Sequence, residues 1–467
     1  MPIQLPNNLM AGVSGVRGIV GDPLTPELVS ALAAAYGTFL QNDGAQAGAA
    51  VFLGRDSRTS GPMFVRAAAA GLLSVGMDVV ELGVVPTPTL LLATREGEGA
   101  GAVGVTASHN PAEWNALKLA GGDGIFLDRE RMGRFLSFLE TSDPVRASWD
   151  RLGSWREDSG AIERHLERIL GLRLLNVEGI RRRRMRVALD CVRGAGGRIM
   201  PTLLERLGCE VVGMGLETDG RFPRDPEPTA ANLTELGELV RREGAELGLA
   251  VDPDVDRLSL VDGRGFPVGE DLTLALAAAT VLARTPGPVV TNLSTSRVLD
   301  DVAEKWGAKV HRARVGEVNV AGRIQELGAV VGGEGNGGVI LPALQLTRDA
   351  PLAAALILQH LVDLDEGLEG AISRWPEYRI VKEKVPVPDG GLEALYDDLR
   401  EGLGPEEVDT QDGLRLDWPG KGRWLHVRPS GTEPVVRFIA EARDETAARE
   451  LVDTARRMLE SGARRDG

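Results

Sequence analysis

The sequence predicts an α/β protein: three related α/β domains with mixed, mostly parallel sheets, then a C-terminal α+β domain, set around a central cleft. Three observations predict it. A pattern of strand, loop, helix, glycine and strand recurs three times. The copies lie on the order of a hundred residues apart, too far for a solenoid and suited to separate domains. After Pro376 the texture changes to alternating apolar and polar segments. At roughly 100–200 residues per domain, 467 residues accommodate three or four domains. The expected divisions are 1–155, 156–265, 266–375 and 376–467.

The first copy begins with the apolar run Val51–Leu53, passes through GRDSRTSG into an alanine- and leucine-rich helical stretch, and ends at Gly76 before the run Met77–Leu82. The second starts at Arg186 (RVALDC), turns at GAGG, continues as MPTLLERL, ends at Gly208 and resumes as CEVVGMG. The third starts at Val289 (VVTNLS), continues as VLDDVAEKW, ends at Gly307 and resumes as AKVHRARVG. Short β-branched runs alternating with helices imply parallel strands covered on both faces. A glycine after each helix reads as its C-cap.

Each copy is followed by a further apolar run that ends in an unusual loop. These are AVGVTASHNP at Ala102–Pro111, LGLAVDPDVDR at Leu247–Arg257 and AVVGGEGNGG at Ala329–Gly338. Open α/β sheets bind ligands beyond the carboxyl ends of their strands, so three equivalent loops are expected to face one cleft. In the last domain YRIVKEKVPV and RWLHVRP read as antiparallel strands, and Glu445–Glu460 as an amphipathic helix.

Composition narrows the function. Hydrophobic residues make up 43% and charged residues 26%, an ordinary globular balance. The net charge of −15 repels phosphate backbones and argues against nucleic-acid binding. The one basic run, Arg181–Arg184 with Arg186, reads as a solvated helix end or linker. Cys191 and Cys209 stand in apolar runs and read as buried thiols. The N-terminus lacks a charged region followed by an apolar one, and no apolar run approaches the roughly 20 residues of a membrane span. A soluble cytoplasmic protein is expected.

Four loops carry candidate chemistry. In DPDVDR, Asp252, Asp254 and Asp256 would repel one another unless a cation lay between them. Oxygen ligands suit a hard cation such as Mg²⁺. A calcium hand is excluded, because Arg257 and Gly263 occupy the positions that need glycine and glutamate. A solvated acidic turn is the alternative, and the apolar runs on either side favour a metal site.

In TASHNP, Ser108 precedes His109, Asn110 and Pro111. Pattern alone favours a helix cap over a nucleophile, and no G-x-S-x-G elbow is present. In GGEGNGG, Glu334 and Asn336 suit hydroxyl recognition, and five glycines would let backbone approach a ligand. In RPSGTEP, Arg428, Ser430, Gly431 and Thr432 read equally as a phosphate site or a surface turn. Two motifs are set aside: GAGG at Gly194–Gly197 lacks a third glycine, and Gly420–Lys421 is followed by Gly422 rather than Ser or Thr.

Taken together, from SGVRG at Ser14–Gly18 to RPSGTEPVVR at Arg428–Arg437, these loops resemble the phosphohexomutase superfamily of phosphoglucomutases, phosphomannomutases and phosphoglucosamine mutases. The resemblance implies four domains around a cleft, the last one mobile. It implies that Ser108 carries the transferable phosphate and that Asp252, Asp254 and Asp256 hold one Mg²⁺ together with an oxygen on Ser108. It places Lys118 (in WNALK), Arg17 and His109 in the catalytic set. Arg257, Glu334 and Asn336 would contact substrate, with Glu334 on sugar hydroxyls. Arg428, Ser430, Gly431 and Thr432 would grip the phosphate that is not reacting. The partner would be a small hexose phosphate, with a hexose bisphosphate as intermediate and activator.

Two positions depart from the family pattern. Pro253 stands where the metal loop usually has glycine; proline fixes φ and removes an N–H, but the carboxylates remain. Asn336 and Gly338 replace a serine and a histidine found in many members, so no histidine acid or base is available there. The GEGNGG form resembles a subgroup assigned as phosphoglucosamine mutase or as a broad phosphomannomutase/phosphoglucomutase. Conversion of glucosamine 6-phosphate to glucosamine 1-phosphate is the expected reaction. A glucose or mannose phosphate mutase comes next, and a Mg²⁺-dependent phosphatase or a sugar-phosphate sensor after it.

Overall fold

A computed structural model of the chain describes residues 3–387, 392–430 and 435–462. Local sequence explains how the three repeats are punctuated. The helices Gly61–Leu73, Gly196–Arg206 and Val298–Lys305 are each followed by a glycine with left-handed φ: Gly76 at +78°, Gly208 at +76° and Gly307 at +63°. Just beyond each glycine a backbone N–H bonds five residues back: Met77 to Leu72 (3.2 Å), Cys209 to Leu204 and Ala308 to Ala303 (both 2.9 Å). This is the Schellman closure, repeated three times, and it turns the chain from helix into strand.

The repeats become sheets of one design. Gly101–Val105 lies between the parallel strand Ala50–Arg55 and the antiparallel strand Trp114–Gly121. Leu247–Val251 lies likewise between Arg186–Asp190 and Leu258–Asp262, and Val331–Glu334 between Val289–Asn292 and Gly338–Ile340. A further parallel strand extends each unit: Asp78–Val84, Glu210–Met214 and Val310–Ala313.

The first sheet has seven strands. Met10–Gly12 and Gly15–Ile19 are added at one edge and Trp155–Glu157 at the other. That edge strand spans the division expected after residue 155. The basic run ends the helix Val177–Arg183, with Arg184 left-handed at φ +48°. The C-terminal sheet, residues 379–442, has five antiparallel strands, and the helix Glu445–Gly462 packs on it.

Period-two alternation divides the first sheet between two cores. Val51, Leu53, Val79, Val103 and Val105 face one side. Phe52, Val80, Leu82 and Ala102 face the other, and that core continues unbroken through the second and third domains. At its centre the helices Asp271–Leu282 and Ala350–Leu364 bury nearly every side chain, as uniformly apolar helices must. The C-terminal sheet has its own core around Leu416, Trp418, Val427 and Phe438.

Contacts from the C-terminal domain to the third domain are polar. Arg297 N–H donates to Glu441 at 2.9 Å, Val315 N–H to Asp412 at 3.1 Å, and Ser294 Oγ bonds His426 Nδ1 at 2.9 Å. Both cysteines are buried and unpaired. Among the described residues no helix is long and apolar enough to cross a membrane.

Candidate active site

The three unusual loops occupy the same place in their sheets. Each links the last parallel strand to the antiparallel return strand, at the carboxyl end where α/β sheets bind ligands.

In the first loop Ser108 takes a left-handed backbone, φ +48°, uncommon for a residue with a side chain. The chain runs on to the strand at Trp114 with no helix between, so Ser108 caps nothing and its hydroxyl is free for other work. The strain is held by a buried arginine. Arg58 donates to the carbonyls of Ser108 (2.7 Å), Asn110 (2.6 Å), Pro111 (2.5 Å) and Trp114 (3.0 Å). Asp56 neutralises it at 3.0 Å and accepts from Thr106 Oγ1 at 2.7 Å. Thr106 in turn accepts the Ser108 N–H at 3.0 Å. Sequence reasoning passed over Arg58; its signal was an Asp–x–Arg pair directly after a buried strand.

The second loop brings its carboxylates together behind Pro253, with Val255 left-handed at φ +62°. Ligand oxygens of Asp252, Asp254 and Asp256 lie within 4.8 Å of one another, and all three residues are buried. Ser108 Oγ donates to Asp252 Oδ2 at 2.9 Å. Asp254 Oδ2 accepts from Lys118 Nζ (2.7 Å) and Thr87 Oγ1 (2.8 Å); Thr87 is a second group the sequence reading missed.

Burial and the neighbouring Asp256 and Asp254 charges push the Asp252 carboxyl well above its usual range. For Asp254 burial acts in the same direction, but the Lys118 charge and its hydrogen bond outweigh it and hold the carboxyl below the ordinary value. Asp254 Oδ1 and Asp256 Oδ1 are buried with no hydrogen-bond partner. Orphaned carboxylate oxygens beside a serine hydroxyl fit a hard divalent cation, so these residues could hold a metal.

Around the cluster stand the other expected groups. Arg17, on the strand Gly15–Ile19, donates to Asn110 Oδ1 at 2.5 Å. His109 Nδ1 lies 3.4 Å from Ser108 Oγ. The Arg257 charge, burial and Arg17 lower the His109 pKa well below the ordinary 6.5, which keeps the ring neutral at physiological pH. Arg257 is buried, with Nη1 at 3.1 Å from Glu227.

In the third loop Glu334 Oε1 accepts from Asn292 Nδ2 (2.8 Å) and Gly316 N–H (2.9 Å), while Oε2 accepts from Arg348 Nη1 (2.6 Å). Burial raises the Glu334 carboxyl, but Arg348 and these donors outweigh it and leave it below its usual range. Asn336 Oδ1 accepts Gly338 N–H at 3.3 Å, within its own turn.

Packing within the protein requires all five glycines. A Cβ would meet Val290 O at 2.5 Å from Gly332, Gly338 O at 2.1 Å from Gly333 and Asp271 Oδ1 at 2.1 Å from Gly335. It would meet Leu258 O at 2.3 Å from Gly337 and Arg348 Cδ at 2.2 Å from Gly338. The third loop lies directly against the strand that leaves the second, where Leu258 N–H bonds Gly337 O at 3.0 Å.

On the C-terminal sheet Arg428 Nε lies 2.9 Å from Asp412, and Ser430 N–H bonds Val435 O at 2.8 Å. Gly431 and Thr432 lie outside the described residues. The structure therefore gathers Ser108, His109, Lys118, Arg17, Asp252, Asp254, Asp256 and Arg257 at one place and joins Glu334 to them through Arg348.

Comparisons with known proteins point to one family. Residues 8–143, 163–265 and 269–378 match the phosphoglucomutase/phosphomannomutase alpha/beta/alpha domains I, II and III, and residues 383–458 match the C-terminal domain of the same family. A phosphoglucomutase/phosphomannomutase of Thermococcus kodakarensis is 38% identical over 453 residues, 96% of this chain and 98% of that protein. A probable phosphoglucosamine mutase of Methanopyrus kandleri is 38% identical over 460 residues, again 96% and 98%. The crystal structure of a phosphoglucomutase/phosphomannomutase family protein from Burkholderia thailandensis superimposes with TM-score 0.82 at 28% identity, covering 97% of this chain and 98% of that one.

Proposed function

The chain belongs to the phosphoglucomutase/phosphomannomutase family, and from that premise we propose that it interconverts glucosamine 6-phosphate and glucosamine 1-phosphate through a phosphoserine at Ser108. The observation that carries the phosphoryl-transfer reading is the Ser108 hydroxyl 2.9 Å from Asp252, inside a buried set of three carboxylates with Lys118 beside them.

In the forward half-reaction a sugar hydroxyl oxygen attacks the phosphorus on Ser108, the P–Oγ bond breaks, and a hexose bisphosphate forms. Lys118, an ammonium paired with Asp254, gives a proton to the leaving Ser108 oxygen and takes up the proton of the attacking hydroxyl, with Arg17 assisting. The bisphosphate turns over in the cleft and the other phosphate returns to Ser108. Asp252, Asp254 and Asp256 with the Ser108 oxygen would hold Mg²⁺, which when bound neutralises charge on the transferring group. Neutral His109 borders the serine oxygen as a hydrogen-bond partner. Arg257 and Glu334 bind the sugar phosphate, with Asn336 shaping the turn beside Glu334. Arg428, Ser430, Gly431 and Thr432 grip the phosphate that is not reacting.

The glucosamine assignment draws on the Methanopyrus relative and on a sugar loop without histidine. The equally similar Thermococcus protein favours a second reading, glucose or mannose phosphate as substrate. Coupled assays on the three hexose phosphates, each primed with its bisphosphate, decide between them. The highest kcat/KM is expected for glucosamine phosphate, and a clear preference for glucose 1-phosphate would overturn that choice.

A further inference from the structure

We propose that Arg348 is a positioning residue that ties the sugar-recognition carboxylate Glu334 to the third metal-loop carboxylate Asp256, and that position 338 is glycine so that Arg348 can reach both. The inference rests on the phosphosugar reading above.

Arg348 is anchored at both ends. Its N–H donates to Glu317 Oε1 at 2.8 Å, and the next residue, Asp349, caps the buried helix Ala350–Leu364 by accepting Leu352 N–H at 3.0 Å. Its stem crosses the strand Gly338–Ile340 so closely that a Cβ at 338 would stand 2.2 Å from Cδ and 2.8 Å from Cγ. Any side chain at 338 would displace the arginine stem from this path. The guanidinium then forks between two loops, Nη1 to Glu334 at 2.6 Å and Nη2 to Asp256 Oδ2 at 2.5 Å, with Glu317 Oε2 at 3.5 Å.

The planar fork sets the direction of both carboxylates at once. It turns Asp256 so that Oδ1 is left without a hydrogen-bond partner, and it leaves Glu334 Oε2 one acceptor site for a sugar hydroxyl or ammonium. One buried cation thereby links the part of the site that handles the phosphoryl group to the part that reads the sugar.

Two variants test this, Arg348→Gln and Gly338→Ala. The second keeps every charge and displaces only the arginine stem, and Gly338 does not have a left-handed φ that alanine would strain. Both are expected to raise KM for the hexose phosphate about tenfold, the scale of one charge-assisted hydrogen bond, with kcat less affected. Intact mass after incubation with a hexose bisphosphate should still show one phosphate on Ser108. Calorimetric titration with Mg²⁺ alone should show tighter binding, because a competing cation has left Asp256. In a Glu334→Gln background neither variant should raise KM further.

A wild-type KM with unchanged Mg²⁺ affinity in Gly338→Ala, or full additivity with Glu334→Gln, overturns the inference. If Arg348→Gln fails to fold, Gly338→Ala alone and combined with Glu334→Gln carries the same test. A wild-type protein without mutase turnover would sink the functional reading and this inference with it; active wild type with unchanged variants sinks this one alone.

Discussion

At the scale of single residues, chemistry here comes from surroundings. Ser108 is an unremarkable hydroxyl until Arg58 holds its loop by four carbonyls and Asp252 accepts its hydrogen bond. Arg58→Met would leave Asp56 buried without its cation. Urea unfolding should show a loss of about 3–5 kcal/mol, the usual cost of breaking a buried pair from one side. Because nucleophile placement is worth large factors, kcat should also fall about 10²-fold in whatever protein remains folded. Arg58→Lys should recover stability better than rate, since a point charge cannot bridge four carbonyls. The aspartates were legible because their spacing is local, whereas Ser108, which pattern alone reads as a helix cap, was singled out by the family resemblance of its motif. Arg58 and Arg348 were not, because their partners lie 50 and 92 residues away and include backbone carbonyls that leave no trace in composition.

At the scale of elements, periodicity and the glycine stops exposed the three repeats, and their equivalent loops followed. The strand Trp155–Glu157 was missed because three exposed residues show no alternation. Pro253 proves compatible with the converging carboxylates, and its carbonyl accepts Ala195 N–H at 2.8 Å. Pro253→Gly should therefore cost only about 0.4–1 kcal/mol, through greater freedom of the unfolded chain, and leave Mg²⁺ binding intact by calorimetry.

The strand Arg423–Pro429 carries His426, which bonds Ser294 across the domain contact and the Asp412 carbonyl within its own domain. Burial lowers its pKa from 6.5 to about 4. The unfolded chain thus binds a proton first, so this group's share of stability is complete above pH 6.5 and is lost as pH falls toward about 4. Hydrogen exchange across residues 423–429 should accelerate over that window, and His426→Gln should flatten the acid dependence.

At the scale of the whole molecule, three domains are joined by a common core beside clusters of their own, and the fourth keeps its core behind a polar contact. Calorimetry should resolve a separate transition for residues 379–462, lowered selectively by Glu441→Gln, which weakens the acceptor for Arg297 N–H and Trp424 Nε1. A net charge of −15 opposes the anionic substrate we propose, and Arg17, Lys118 and Arg257 supply positive charge beside the three carboxylates at the site. The most direct test of phosphoserine transfer follows a labelled phosphoryl group from a hexose bisphosphate. The label should appear on Ser108 and then leave on a hexose monophosphate supplied afterwards, and Ser108→Ala should neither take up label nor turn over. Label released only as inorganic phosphate, or mutase turnover that persists in Ser108→Ala, would contradict it.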